Sequence, residues 1–291
     1  VTPWAAVIVN YNAGDLLVRS IDALLAAPDA PAQIVVVDND SRDGSAEAVV
    51  NRYQSVVVIP VGANLGYARA ANLGIAATDA DVVAVLNPDT EIRSGAAAAL
   101  VGRLEREPDL AAVGPRIVNP DGSTYPSARS IPSIADTVGH GVFGLWWSSN
   151  PFTARYRHLA ADAESPRDVD WLSGSAVWLR RRALDEVGGW DERYFMYVED
   201  VDLCWRLTQG GWRVSYEPAG TVMHVQGATT QAHPYRMLLE HHRSLWRFAD
   251  RRFQGRWRVL LGPAAAFLAF RAGMTMAAHA GARLLPKHIP G

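Results

Sequence analysis

Four short apolar runs recur through the first third of the chain: Val7-Ile8-Val9, Ile34-Val35-Val36-Val37, Val56-Val57-Val58-Ile59 and Val82-Val83-Ala84-Val85-Leu86. Runs this short, rich in β-branched residues and bounded by turn chemistry, read as strands buried on both faces. Between the first two, Leu17, Ile21, Leu24 and Leu25 recur at helical spacing, and residues 67–77 supply a helix before the fourth. Few folds satisfy such alternation, because parallel neighbours need right-handed crossovers. The expectation is an α/β fold with a mostly parallel central sheet flanked by helices. A chain of 291 residues, 49% of them hydrophobic, has enough apolar surface for one large unit of that kind.

After Pro115 the rhythm changes. Asn119-Pro120-Asp121-Gly122 is a turn signal, and a Pro- and Ser-rich stretch runs on to Asn150-Pro151. A second folded block, 171–225, carries Trp171-Leu172-Ser173-Gly174-Ser175 and a cluster of acids. Leu238, Leu245 and Phe248, at helical spacing, then open a different C-terminal segment.

Charge sets that segment apart. Residues 1–235 hold 18 arginines against 28 acids, a net −10, whereas residues 236–291 hold 10 basic residues against Glu240 and Asp250, a net +8. A basic end on an acidic body calls for an anionic partner, a membrane surface or a nucleic acid. No zinc-finger or RNP signature accompanies it, which favours the anionic membrane surface and no nucleic acid. Residues 259–282 are apolar except for Arg271 and His279, and Arg271 near the middle makes a spanning helix costly. One or two amphipathic helices lying on a bilayer, with Arg256, Arg258, Arg283 and Lys287 at the headgroups, fit better. A helix docked on the core is the other reading. Cys204 is the only cysteine, so no intrachain disulfide forms, and no charged-then-apolar leader precedes Val7. The expectation from these features is a catalytic part in a reducing cytoplasm, peripheral at the inner face of the plasma membrane.

The chemistry-bearing residues sit where strands are expected to end, and in α/β sheets ligands bind outside the carboxyl ends of strands. Asp38 ends the second strand and opens Asp38-Asn39-Asp40-Ser41-Arg42-Asp43-Gly44-Ser45, whose side chains bond a base or ribose, or cap the next helix. In Asn64-Leu65-Gly66-Tyr67-Ala68-Arg69, Gly66 lets backbone approach a ligand at a helix N-terminus, or simply makes a turn. Asn87-Pro88-Asp89 closes the fourth strand, and Asp89 offers oxygen to a hard cation, Mg2+ or Mn2+, bridging a diphosphate. His224 offers a nitrogen, although a lone histidine is commonly structural. Glu199-Asp200-Val201-Asp202 crowds three acids at a helix start. Either they cap that helix, or one takes the proton from an attacking hydroxyl.

Taken in order, these segments resemble the family 2 glycosyltransferases of the GT-A fold. The residues that carry the likeness are Val9-Asn10-Tyr11-Asn12, the 37–44 string, Asn64-Leu65-Gly66-Tyr67, Asn87-Pro88-Asp89, Trp171-Leu172-Ser173-Gly174-Ser175 and Phe195-Met196-Tyr197-Val198-Glu199-Asp200-Val201-Asp202-Leu203. Asp121-Gly122-Ser123-Thr124-Tyr125-Pro126-Ser127-Ala128-Arg129 and Trp190-Asp191-Glu192-Arg193-Tyr194 look more narrowly like bacterial rhamnosyltransferases. The resemblance implies an inverting, metal-dependent transferase with a nucleotide-sugar donor, dTDP-L-rhamnose, and a polyprenyl-diphosphate-linked GlcNAc acceptor. Another nucleotide sugar with a polysaccharide or protein acceptor is the alternative. A non-catalytic nucleotide-sugar binder would keep Asp38 and Asp89 but have no need of Glu199-Asp200.

It further implies a nucleotide-sugar-binding half at 1–115 and an acceptor-binding and catalytic half at 116–225, to which the charge and hydropathy of the tail add basic amphipathic C-terminal helices at 226–291. Asp38 would contact the base, with Asn10, Tyr11, Asn64, Gly66 and Arg69 around the donor. Asn87 and Asp89 would meet its phosphates, Asp89 and His224 the metal. Asp200, beside Glu199, would be the base, and Arg129, Trp171, Ser173, Gly174 and Arg243 would face the acceptor. The family's usual Asp-X-Asp metal motif reads Asn-Pro-Asp here, one negative ligand fewer.

Overall fold

All four apolar runs are strands, and together they form one side of a single large sheet. In the computed structural model, which describes residues 2–129, 131, 164–225, 234–270 and 273, β1 (Trp4–Asn10) pairs in parallel with β2 (Gln33–Asp38) and with β4 (Val82–Leu86), and β2 with β3 (Val56–Pro60). Helices α1 (Asp15–Ala26), α2 (Ser45–Arg52) and α3 (Tyr67–Ala76) make the crossovers. The register sets Asn10 opposite Asp38 and Asp38 opposite Pro60, so β1, β2 and β3 end at one level, and β4 ends at Leu86 opposite Ile8, two residues short of it.

Beyond β4 the sheet becomes mixed. After β5 (Thr90–Ile92) and α4 (Ala96–Arg106), the chain forms β6 (Leu110–Val118), with β7 (Thr124–Tyr125) against it, and then β8 (Ala128–Arg129). Strand β9 (Arg167–Asp168) lies on the far edge, and β10 (Trp171–Leu172) pairs with β8 in a separate ribbon. Strand β11 (Ala176–Arg180) then runs antiparallel between β4 and β6. Helices α5 (Arg181–Val187) and α6 (Glu199–Gln209) lead to β12 (Arg213–His224), parallel to β6 and antiparallel to β5. The order across the sheet is β3-β2-β1-β4-β11-β6-β12-β5. Chain order reverses beside β1 and β4, which opens a crevice at their carboxyl ends.

Alternate residues of each central strand feed opposite cores. Ile8 and Val36 pack with Leu17, Ile21, Leu100 and Trp178 on one face; Val7, Val9 and Val37 pack with Ala68, Ala71, Trp190 and Leu203 on the other. Burial on both faces explains why the strand sequences are continuously apolar.

Helix α7 (Pro234–Arg252), inside the block read as basic C-terminal helices, docks on the body. Phe248 is buried edge-on against Trp205 with ring centroids 6.2 Å apart, and Ser244 Oγ donates to Met196 O at 3.1 Å. A 3-10 segment (Gly255–Leu260) follows. Among the described residues no helix is long and apolar enough to cross a membrane. Arg271, His279, Arg283 and Lys287, and most of the Pro- and Ser-rich stretch, lie outside the described residues.

Candidate active site

Asn10 and Asp38 meet first, because their strands end together. The Asn10 amide lies 2.8 Å from Asp38 Oδ1, 3.0 Å from Ser41 Oγ and 2.9 Å from Ser45 Oγ, and the Ser41 N–H donates to Asp38 Oδ2 at 3.2 Å. Asp38 is thereby fixed facing the crevice mouth. Asp43 instead accepts from the N–H and hydroxyl of Ser45, the first residue of α2, and from the Gly14 N–H, a structural use for that acid. Tyr11 follows Asn10 at the same edge, half-buried.

Asn39 ties this loop to the next. It is buried, accepts from the Leu65 N–H at 3.1 Å and donates to Gly66 O at 3.1 Å; Asn64 accepts from the Gly66 N–H at 3.1 Å. Gly66 has φ 85°, and a Cβ there would lie 2.4 Å from Phe195 O. No other residue type fits both that conformation and that approach.

The end of β4 meets the end of β12. Asp89 Oδ1 lies 3.0 Å from His224 Nε2, and the Asn87 amide lies 3.4 Å from the same nitrogen. Despite that closeness, Asp89 Oδ1 has no aligned hydrogen bond and is buried. A carboxylate oxygen and an imidazole nitrogen thus lie side by side at the crevice, a donor set that fits a divalent cation. Among the described residues no group of three or more His, Cys, Asp and Glu gathers to hold a metal. Two side chains would leave further positions of such a cation to oxygens of a ligand.

Helix α6 starts from a strained turn. Tyr197 and Val198 both have φ 68°, a conformation costly for a β-branched residue. The turn delivers Glu199 and Asp200 to the crevice. Asp200 Oδ2 accepts from the Gly174 N–H at 3.0 Å and Oδ1 from the Val201 N–H at 2.8 Å. Burial pushes the Asp200 carboxyl above its ordinary range, opposed by those N–H groups and by the Arg129 charge. Glu199 is buried with Oε2 unpartnered; burial, then the charge of Asp200, raises its carboxyl well above the usual range and favours the neutral acid. Asp202 turns away into a structural network, accepting from Tyr194 Oη at 3.2 Å and Arg206 Nε at 2.7 Å.

Residues 173–175 join these groups. While Gly174 N–H holds Asp200, the Asn87 N–H donates to Ser175 O at 2.8 Å. Ser173 Oγ lies 2.9 Å from Ser175 Oγ. Arg129 stands over the Trp171 ring at 5.4 Å, giving this side a cation and an aromatic face. Burial, then the nearby carboxyl groups of Glu199, Asp200 and Asp89, keeps the Tyr67 phenol well above its ordinary range.

Two expected residues are engaged elsewhere. Arg69 is exposed and lies 3.6 Å from Glu192, and Arg243 pairs with Glu240 at 2.7 Å on the outer face of α7. Conversely, Asn39, Tyr67 and Ser175 belong to the constellation although only their neighbours drew attention as site residues. A polar side chain immediately beyond the strand-end acid was the available signal for Asn39.

Comparison with known proteins bears on this arrangement. The sequence pattern of glycosyl transferase family 2 matches residues 5–188. The N-acetylglucosaminyl-diphospho-decaprenol L-rhamnosyltransferase of Mycobacterium tuberculosis is 43% identical over 266 residues, covering 88% of this chain and 86% of that protein. The mannosyltransferase PcManGT from Pyrobaculum calidifontis, solved with GDP-Man and Mn2+, superposes with a TM-score of 0.58 at 18% identity, over 98% of this chain and 81% of its own. GalNAc-T7, solved with UDP, GalNAc and Mn2+, gives a TM-score of 0.58 at 20% identity, over 77% of this chain and 43% of its own. The two structures share the fold.

Proposed function

The chain belongs to glycosyl transferase family 2 and is a glycosyltransferase, and from that premise we propose that it transfers L-rhamnose from dTDP-L-rhamnose to N-acetylglucosaminyl-diphospho-polyprenol with inversion. The observation that carries the site reading is the join at 174–175. Adjacent residues hold Asp200 on one side and Asn87, beside Asp89, on the other. A base and a diphosphate site so linked suit direct displacement. The relative from M. tuberculosis, named for this donor sugar and acceptor, supports the choice of substrates.

In this reading Asp38 and Asn10 receive the base end of the donor, and the Asn64–Gly66 turn lets backbone approach it. The acceptor hydroxyl oxygen bonds to the anomeric carbon as the bond from that carbon to the diphosphate breaks. Asp200 takes the hydroxyl proton. Its burial makes it a stronger base than an exposed carboxylate. A neutral Glu199 adds no second negative charge beside it. Asp89 and His224, with the Asn87 amide adjacent, would hold a divalent cation, Mg2+ or Mn2+, and both solved neighbours contain Mn2+. When bound, such a cation supplies positive charge opposite the departing diphosphate. Arg129 and Trp171 provide charge and a stacking face for the acceptor sugar diphosphate.

A lipid-linked acceptor requires access to a membrane, and the C-terminal segment supplies a surface for an anionic leaflet. Trp257, Val259 and Phe270 are 52%, 75% and 61% exposed, and Arg256 lies over the Trp257 ring at 5.2 Å. Aromatic and basic side chains so interleaved suit the headgroup region at the cytoplasmic face.

The test is incubation of the purified protein with a panel of nucleotide sugars and a GlcNAc-diphospho-polyprenol acceptor, with products read by mass spectrometry. A rhamnosylated lipid formed only with dTDP-L-rhamnose is expected. Transfer from another nucleotide sugar, with none from dTDP-L-rhamnose, would overturn the donor assignment.

A further inference from the structure

Helix α3 begins where the Asn64–Gly66 turn ends, and its first residues are locked to the opposite wall of the crevice. The Tyr67 N–H donates to Phe195 O at 2.8 Å, the carbonyl that Gly66 also approaches. The Tyr67 ring meets Trp190 edge-on with centroids 5.6 Å apart. One turn on, Asn72 grips Trp190 from both sides, accepting from its N–H at 2.9 Å and donating to its carbonyl at 2.8 Å. Order in the donor-side turn therefore extends directly into the segment that leads to α6.

Tyr67 also reaches the base. Its hydroxyl is buried and donates to the Gly174 carbonyl, and the N–H of the same glycine donates to Asp200 Oδ2 at 3.0 Å. The two groups belong to successive peptide units that swivel about the Gly174 Cα. Glycine has no side chain to restrain that swivel. Anchoring the carbonyl restricts that swivel and so narrows the directions in which the N–H can point.

We infer that Tyr67 is a positioning residue: by holding the Gly174 carbonyl it aims the Gly174 N–H that orients the Asp200 carboxylate, so that order in the donor turn is passed to the base. The inference rests on the reading of Asp200 as the base. Other groups act on that carboxylate too, Glu199 and Cys204 on its own helix and Arg129 from β8, while Asp89 acts on the Tyr67 hydroxyl. None of them holds Gly174.

Tyr67→Phe keeps the ring against Trp190 and removes only the hydroxyl. With dTDP-L-rhamnose and a short-chain GlcNAc-diphospho-polyprenol, kcat is expected to fall by about 10- to 100-fold, the scale of a misplaced catalytic group. The KM for the donor and the affinity for dTDP should hold within about twofold, since uniform binding is untouched. The acid limb of the kcat profile should move to higher pH, because the carboxylate loses an N–H that stabilises its charged form. A parental kcat, or a lowered kcat with the acid limb in place, would overturn the inference.

A second measurement needs no variant. In the parent protein, saturating dTDP should slow hydrogen exchange of a peptide covering residues 171–178; unchanged exchange there would also overturn it. Asp200→Asn, assayed alongside, separates the two claims. If that variant turns over like the parent, the base assignment fails; if it is inactive while Tyr67→Phe is parental, only the coupling fails.

Discussion

Arg251, near the end of α7, donates to Asp202, one turn into the helix that carries Asp200, at 3.0 Å. The same guanidinium reaches Asp191 at 2.5 Å, in the segment that leads from α5 toward α6. The Asp202 side chain is fully buried and is held from its other side by Arg206. The C-terminal helix is therefore ion-paired to the helix that carries Asp200, and its docking helps set the position of α6.

Removing Arg251 should be felt in stability and in its pH dependence. Arg251→Met retains length and apolar contact but leaves buried carboxylates short of a donor, a change worth about 2–3 kcal/mol. Burial pushes the Asp191 carboxyl up, yet the hydrogen bonds and charge of Arg193 and the charge of Arg251 more than offset this and bring it to about 2, from an ordinary 3.8. A depressed carboxyl stabilises the fold above its unfolded value and loses that contribution as pH falls through the folded one. The variant should melt lower at neutral pH and unfold in acid at higher pH than the parent. Identical melting curves from pH 7 to pH 2 would show the pair to be energetically idle.

Asp200→Asn should separate binding from turnover. The amide fills the same space but takes no proton, so dTDP affinity should stay near the parental value while kcat falls by about 10²–10⁴-fold, the usual contribution of a general base. Turnover near the parental rate in a folded variant would remove Asp200 from that role.

The part of the fold readable in advance was the part held by local pattern. Residues such as Val7, Val36 and Val85 are buried on both faces, so their runs had to be continuously apolar, and the helices between them carried their own period. Strand β11 gave no comparable sign of its place, since insertion between β4 and β6 is decided by pairing with Val82–Leu86 some ninety residues earlier. Asp38, Asp89 and Asp200 were singled out because each stands at a strand end or helix start, where ligands of an α/β sheet bind, although capping uses such carboxylates as well. Helical rotation separated Asp200 from Asp202, because residues two apart do not face the same way. Tyr67 and Asn39 take their roles from partners distant in the chain, Gly174 and Gly66, which no local spacing encodes. Arg69 and Arg243 carried charge suited to phosphate, but each is paired on an exposed surface.

Asp89→Ala and His224→Ala bear on the proposed cation site. Each removes one of two donor atoms that lie 3.0 Å apart, so the gain in dTDP affinity on adding Mn2+ should shrink by about tenfold or more in Asp89→Ala and less in His224→Ala, where a neutral ligand is lost. Affinity without Mn2+ should change little in His224→Ala. Calorimetry with and without the cation decides the matter, and a parental Mn2+ increment in both variants would place the cation elsewhere.

The C-terminal surface yields the remaining expectation. Truncation after Phe253 leaves α7 with its Phe248 and Arg251 contacts and removes Trp257, Val259 and Phe270 together with Arg256, Arg258, Arg271, Arg283 and Lys287. Each basic residue near an anionic bilayer contributes about 1 kcal/mol, and burial of the apolar side chains adds to that. The full chain should bind anionic vesicles more tightly than neutral ones, and less tightly as salt screens the charges. Because α7 stays docked, the truncated protein should keep its melting temperature within a few degrees and act normally on a short soluble acceptor, yet lose activity on a long polyprenyl acceptor presented in vesicles. Equal partitioning of the two proteins onto anionic vesicles would instead make the segment an ordinary appendage of the fold, with access to the lipid arising elsewhere on the surface.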